Sequence, residues 1–143
     1  MDMPIVFKQF PKLIAHSIAT TNVKPFASHG IHINAVHKTA ILRSVDDTPY
    51  YDDDLTSVEH PIYTLFGHNG DQSVDEKRYN KKLLDPNVVE HIYLYRVQST
   101  GTNGKSKRWI WYGKYKIKGR MEKEHRGKDG NPRTIILLQL ERI

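Results

Sequence analysis

Residues 49–64 read PYYDDDLTSVEHPIYT, which gathers two tyrosines, three consecutive aspartates and a third tyrosine into one short stretch. Tyr51 and Tyr63 bracket a loop of eleven residues whose ends can approach each other. Two phenol rings facing each other across such a loop would sandwich a planar base, and each base–aromatic stack is worth about 1–3 kcal/mol. A carboxylate beside them could accept a hydrogen bond from an exocyclic amine, as it does from cytosine N4. An aspartate set among other acids and aromatics also tends toward a raised pKa, which would let it share a proton with a ring nitrogen. The same residues can be read as a solvated acidic loop with Tyr50 and Tyr51 capping the core. Types and spacing alone leave both readings open.

Other chemistry is less well supported. His29, His32 and His37 lie near one another, but their spacing matches no common zinc pattern and the chain has no cysteine to add a thiolate. Asp75-Glu76-Lys77 resembles half of a nuclease metal site, and with Asp71 it defines a small metal-dependent nuclease as one rival reading. The run GHNGDQ (67–72) lacks the Lys-Ser/Thr of a phosphate-cradling P-loop. No serine sits in a nucleophile elbow. The expectation is a chain with no catalytic site, no metal and no cofactor.

Charge is distributed unevenly over the 143 residues. The net charge is +6 with a pI near 9.5, a balance that favours polyanions. Asp46 to Glu59 holds six acids and no lysine or arginine, whereas Lys105 to Arg142 holds twelve basic residues against four acids. A phosphate-binding surface with one local negative spot would look like this. The absence of cysteine, of a bilayer-length apolar run and of secretory signal features leads to the expectation of one cytoplasmic domain, 1–143, with no membrane association.

The elements that must position the tyrosines and acids follow from periodicity. Helical spacing of Leu13, Ile14, Ala15 and Ile18 behind Pro11 predicts a helix over 11–21. Alternating and β-branched residues predict one or two strands over 31–45 and further strands at 61–66, 92–97, 108–117 and 134–140. Val74, Tyr79, Leu83 and Leu84 predict a second helix in 73–91, ended by Pro86. The runs QSTGTNGKSK (98–107) and KDGN (128–131) read as hairpin turns, and a charged turn is expected between the last two strands. Mostly strands, with two helices placed early, implies an α+β fold with a curled β-sheet or partial barrel and two flanking helices.

With these elements in place, the spacing resembles the SRA (SET- and RING-associated, YDG) domain family, in particular the bacterial SRA-like domains of modification-dependent restriction enzymes. Tyr51 is followed three residues later by Asp54, and Asp54 nine residues later by Tyr63-Thr64, as in the family's pocket. HGIHIN (29–34), GHNGDQ, YNKKLL (79–84), IYLYR with WYGKYKI, and the closing GKDGNPRTIILLQLER match further segments in order over roughly 12–142. The resemblance implies a PUA-like fold that binds double-stranded DNA containing modified cytosine, 5-methylcytosine or 5-hydroxymethylcytosine, by flipping the base out of the helix. It further implies base binding by Tyr51, Asp54, Tyr63 and Thr64, with Tyr50 beside them, and a DNA-binding loop with Phe26, Ser28, Gly30, Ile31 and His32. Lys77, Arg78, Lys105, Lys107 and Arg108 are the expected phosphate contacts. A nuclease domain, in the same polypeptide or in a partner, would complete a restriction system. Three departures stand out. Tyr50 stands where eukaryotic members carry glycine before the pocket tyrosine, the long basic finger with which those members read the partner guanine is missing, and Tyr112-Gly113 lacks the intervening Asp. A PUA-like module for RNA or a modified nucleotide is the main alternative.

Overall fold

The computed structural model describes residues 3–26, 30–46, 48–100 and 106–143. Seven strands and two helices follow in the order β1 (Ile5–Phe7), α1 (Phe10–Thr21), β2 (Ile31–Asn34), β3 (Thr39–Val45), β4 (Ile62–Thr64), α2 (Asn80–Leu83), β5 (His91–Thr100), β6 (Ser106–Arg126) and β7 (Pro132–Arg142). The strands form one mixed sheet in the order β2-β3-β5-β6-β7-β4, with β1 on β6. Among the described residues only the β3–β5 pair is parallel. The sheet is open and curled, as the α+β expectation requires.

Alternation along the strands divides the apolar residues between two cores. Ala40, Leu42, Leu94, Ile110, Tyr112 and Leu138 face one side, where the 49–91 segment and β4 cover them. Ile41, Tyr95, Val97 and Trp111 face the other, under Leu13 of α1 and Val23. Leu13, Ile41, Leu42 and Leu94 are entirely shielded from solvent, and each such side chain contributes about 1.5–3 kcal/mol by burial. Proline in the first turn suits α1, and Asn22 in the left-handed region (φ 62°) closes it with an N–H bond to Ile18 O at 2.9 Å. Gly113 (φ 105°) pairs with Leu94 at the β5–β6 register shift that precedes the Tyr95–Trp111 pair, and its backbone takes a conformation that side chains disfavour.

Three expectations change. The segment 73–91 forms only one helical turn, Asn80–Leu83. Glu76 explains much of this, because its carboxylate accepts from the backbone N–H groups of Arg78, Tyr79 and Asn80 at 3.0, 2.8 and 3.3 Å, groups a longer helix would use internally. The charged stretch after Ile117 is a strand, not a turn, and β6 runs on to Arg126 against the apolar β7. The short β1 was not among the expected strands.

Candidate nucleic-acid interface

The acidic stretch 46–59 is largely tied into the frame. Asp46 takes a bidentate contact from Arg96, Nε–Oδ1 2.7 Å and Nη2–Oδ2 3.0 Å, joining the end of β3 to β5. Asp52 pairs with Lys123 at 2.5 Å, and Glu59 lies 3.8 Å from Arg142. Asp54 and Ile62 bond each other through both backbones, at 2.9 and 2.8 Å. The Asp54 carboxylate turns outward, where it accepts from Thr56 N at 3.0 Å and Thr56 Oγ1 at 2.6 Å, bonds that lower its pKa.

Successive side chains of an extended segment point to opposite sides, so Asp53 turns inward where Asp54 turns out. Asp53 Oδ2 accepts from Ser44 Oγ at 2.7 Å and Oδ1 from Thr64 N at 2.6 Å. The residue is half-buried, yet enough protein surrounds its carboxyl that desolvation raises the pKa despite those bonds. Thr64 supports it a second time by accepting Asp52 N on Oγ1 at 2.9 Å.

Asp53 lines a cavity of about 440 Å³, within the range of small-molecule sites. Gly30, Ile31 and Arg43 form one end, Tyr50, Tyr51, Tyr63, Phe66 and His68 supply rings, and Arg78 and Tyr79 complete the rim. The rings of Tyr50 and His68 meet edge to face at 5.0 Å, Tyr50 and Tyr51 at 5.1 Å, and the Arg78 guanidinium lies 5.6 Å from the Phe66 ring centre. Tyr63 is 3 % exposed and donates its hydroxyl to Gly30 O at 2.7 Å, so it presents little of its ring to the cavity. Tyr50 and Tyr51 are more open. Burial pushes the Tyr51 phenol up to about 12, and the Tyr63 phenol also rises by burial, so both are neutral donors at ordinary pH. His68 is pushed below the usual imidazole value by desolvation, then by Lys128 and Arg133.

The structure thus brings Tyr50, Tyr51, Tyr63, Thr64, Gly30, Ile31 and Arg78 together around one cavity. Phe26 and His32, packed ring to ring at 4.2 Å, line an adjoining groove of about 460 Å³ that shares Ile31, Arg78 and Tyr79 with it. Asp54 instead borders an adjoining concavity of about 560 Å³ that shares Val45, Thr48, Tyr51 and Asp53 with the cavity and whose carboxylates are already engaged within the protein. Lys77 is exposed beside α2, and Lys107 and Arg108 are exposed at the start of β6, away from the cavity lining. Ser28 and Lys105 lie outside the described residues. Asp53, Arg43, Phe66 and His68 were not among the expected site residues. Among the described residues, no three histidine, aspartate or glutamate side chains converge where a metal ion could bind. No helix there is long and apolar enough to cross a membrane.

The fold and cavity define a class, that of open, curled mixed-sheet domains with an aromatic-walled pocket. Solved structures narrow the class. MspJI restriction endonuclease bound to a 27-mer oligonucleotide matches with a TM-score of 0.65 at 15% identity, over 85% of this chain and 34% of that one. KRYPTONITE in complex with mCHG DNA and SAH matches at 0.62 and 19%, over 100% of this chain and 32% of that one. The sulfur-binding and SRA domains of ScoMcrA complexed with phosphorothioated DNA match at 0.60 and 18%, over 100% and 40%. The chain has an SRA-like fold. It spans about a third of the length of the first of these proteins. No family model and no curated protein matches the sequence.

Proposed function

We propose that this chain binds double-stranded DNA containing a modified cytosine and holds that base, turned out of the helix, in the cavity beside Asp53. The observation that carries the reading is the cavity itself. It combines a half-buried carboxylate fixed by Ser44 and Thr64 with open aromatic rings, at the position where a strand-edge loop and basic side chains meet. Tyr51 would stack on the base, with Tyr50 and His68 beside the ring substituent and Tyr63 closing the floor. Asp53, in place of Asp54, would accept from the exocyclic amine. DNA in the complexes with KRYPTONITE and the ScoMcrA domains, and the modification dependence of TagI restriction endonuclease, support modified DNA as the ligand class.

Extracting the base costs a few kcal/mol of pairing and stacking, which pocket and phosphate contacts must offset. Exposed Lys77, Arg78, Lys107 and Arg108 would supply part of the latter, so affinity should fall steeply with salt. The chain would serve as the recognition module of a modification-dependent restriction system whose nuclease lies in another domain or partner. A fluorescent base analogue at the target position tests extrusion. It brightens on binding if the base leaves the stack, and a flat signal at saturating protein would contradict the reading.

A further inference from the structure

Arg133 stands second in β7 and is 4 % exposed. Strand alternation sets it on the same face as Ile135 and Leu137, both buried, where an apolar side chain would continue the row. Arginine stays charged in a protein, and a buried charge is costly unless it is bonded. Among the described residues no carboxylate lies within salt-bridge distance of it, and Asp129 acts on it from farther away. Its Nε is shielded with no acceptor, so its partners are found at the two terminal nitrogens. Nη1 donates to Gly67 O at 2.5 Å and lies 3.4 Å from Gly70 O, and Nη2 donates to Tyr50 O at 2.7 Å.

Those carbonyls belong to two separate segments, one carrying Tyr50 and Tyr51 and the other Phe66 and His68, all four of which line the cavity. The His68 segment has further ties to the frame, from Gln72 Nε2 to Gly67 O at 3.1 Å and from Lys128 N to His68 O at 2.7 Å. The Tyr50 segment has fewer ties to it. Among the described residues, the other hydrogen bond joining the two segments is the long contact from Gly67 N to the Tyr51 hydroxyl at 3.4 Å. The wall that results is closed. Tyr50 meets His68 edge to face at 5.0 Å, and Phe66 lies 5.5 Å from His68, separations of rings in contact.

We infer that Arg133 is a positioning residue for the cavity: it holds the Tyr50 and His68 segments together, so that their closed rings limit the cytosine substituent to a small group. The inference rests on the base-binding reading above, which puts the substituent beside those two rings. A guanidinium suits the task because its planar fork bonds two carbonyls at once, whereas an ammonium is a point donor on a flexible stem.

The test uses the full chain and Arg133→Lys, which keeps the charge and loses the fork, with Arg133→Gln in its place if the lysine variant does not fold. Ile135→Val, a buried truncation on the same strand that removes no hydrogen bond, controls for destabilisation. Amide hydrogen exchange without DNA should rise in residues 48–51 and 67–71 of the Arg133 variant and stay unchanged in β5 and β6. Binding is then measured well below the thermal midpoints, on duplexes with cytosine, 5-methylcytosine, 5-hydroxymethylcytosine or glucosylated 5-hydroxymethylcytosine at one position. Wild type should favour a small modified form over the glucosylated one, and the Arg133 variant should lower that ratio roughly tenfold. Ile135→Val should keep the wild-type ratio. The inference is overturned if exchange does not rise, if the ratio survives in the Arg133 variant, or if Ile135→Val lowers it equally. A wild type that favours the glucosylated duplex also overturns it, while leaving the base-binding reading intact. Equal binding of wild type to all four duplexes defeats the base-binding reading, and the inference with it.

Discussion

Replacing Asp53 with asparagine removes the carboxylate charge that the cavity offers to a base. The substitution is nearly isosteric. The amide oxygen still accepts Thr64 N–H, and the Ser44 hydroxyl can rotate to accept from the amide nitrogen, so both bonds at 2.6 and 2.7 Å retain a counterpart. Stability should change by no more than about 1 kcal/mol, whereas Asp53→Ala strands both donors at about 1–3 kcal/mol each. What asparagine cannot keep is a charged acceptor facing a base amine. That contact is worth about 1.5–3 kcal/mol, so affinity for the modified site should fall about 10- to 150-fold. Binding to an unmodified duplex, carried by phosphate contacts, should be unaffected. The assay is fluorescence anisotropy with both duplexes at one salt concentration, paired with Asp54→Ala. Among the described residues that carboxylate bonds Thr56 alone, at an exposed turn, so its loss should leave base preference intact. If Asp54→Ala abolishes the preference and Asp53→Asn does not, the carboxylate has been misassigned.

Three further outcomes follow from the same geometry. Tyr63→Phe removes the hydroxyl bond to Gly30 O and should cost about 1 kcal/mol in a denaturant melt while retaining base preference, whereas Tyr63→Ala excavates the core and should cost roughly 3–5 kcal/mol. Gln72→Ala should lower stability by roughly 2–4 kcal/mol, because the side chain donates to Leu65 O at 2.6 Å and Gly67 O at 3.1 Å and accepts Ile136 N at 2.8 Å; a change near zero would contradict that assignment. Burial holds the Asp53 carboxyl above its ordinary 3.8, so the native state binds its proton more readily than the unfolded chain does. Wild-type stability should therefore decline, relative to Asp53→Asn, as pH rises from the ordinary carboxylate range through the raised Asp53 pKa, and the difference should be constant below that window. Melting curves of the two proteins across pH check the sign.

Much of the frame was legible because its signals are local. Leu13, Ile18 and Pro11 announce α1, and the β-branched and aromatic runs at 92–97 and 134–140 announce β5 and β7. Elsewhere tertiary partners overrode local pattern. The amphipathic stripe through Val74, Tyr79 and Leu83 belongs to a segment folded by Glu76 and Asn80. Asn80 spends its side chain on Phe66 N, Phe66 O and Ser73 O, leaving a single helical turn. The polar tail of β6 is extended because β7 pairs with it, which no property of KGRMEKEHR announces. At the site, spacing singled out Asp54, one residue from the carboxylate that lines the cavity. A one-residue offset in an extended segment reverses every side chain, and the offset is set by the Asp54–Ile62 bridge, a pairing across the loop that side-chain types do not announce.

The most direct measurement is competition binding at moderate salt among duplexes of one sequence carrying cytosine, 5-methylcytosine, 5-hydroxymethylcytosine or glucosylated 5-hydroxymethylcytosine at a single position. The account predicts clear preference for one modified form, lost in Asp53→Asn, with Tyr50 and His68 setting which form it is. Equal binding to all four, unchanged by Asp53→Asn, would contradict it.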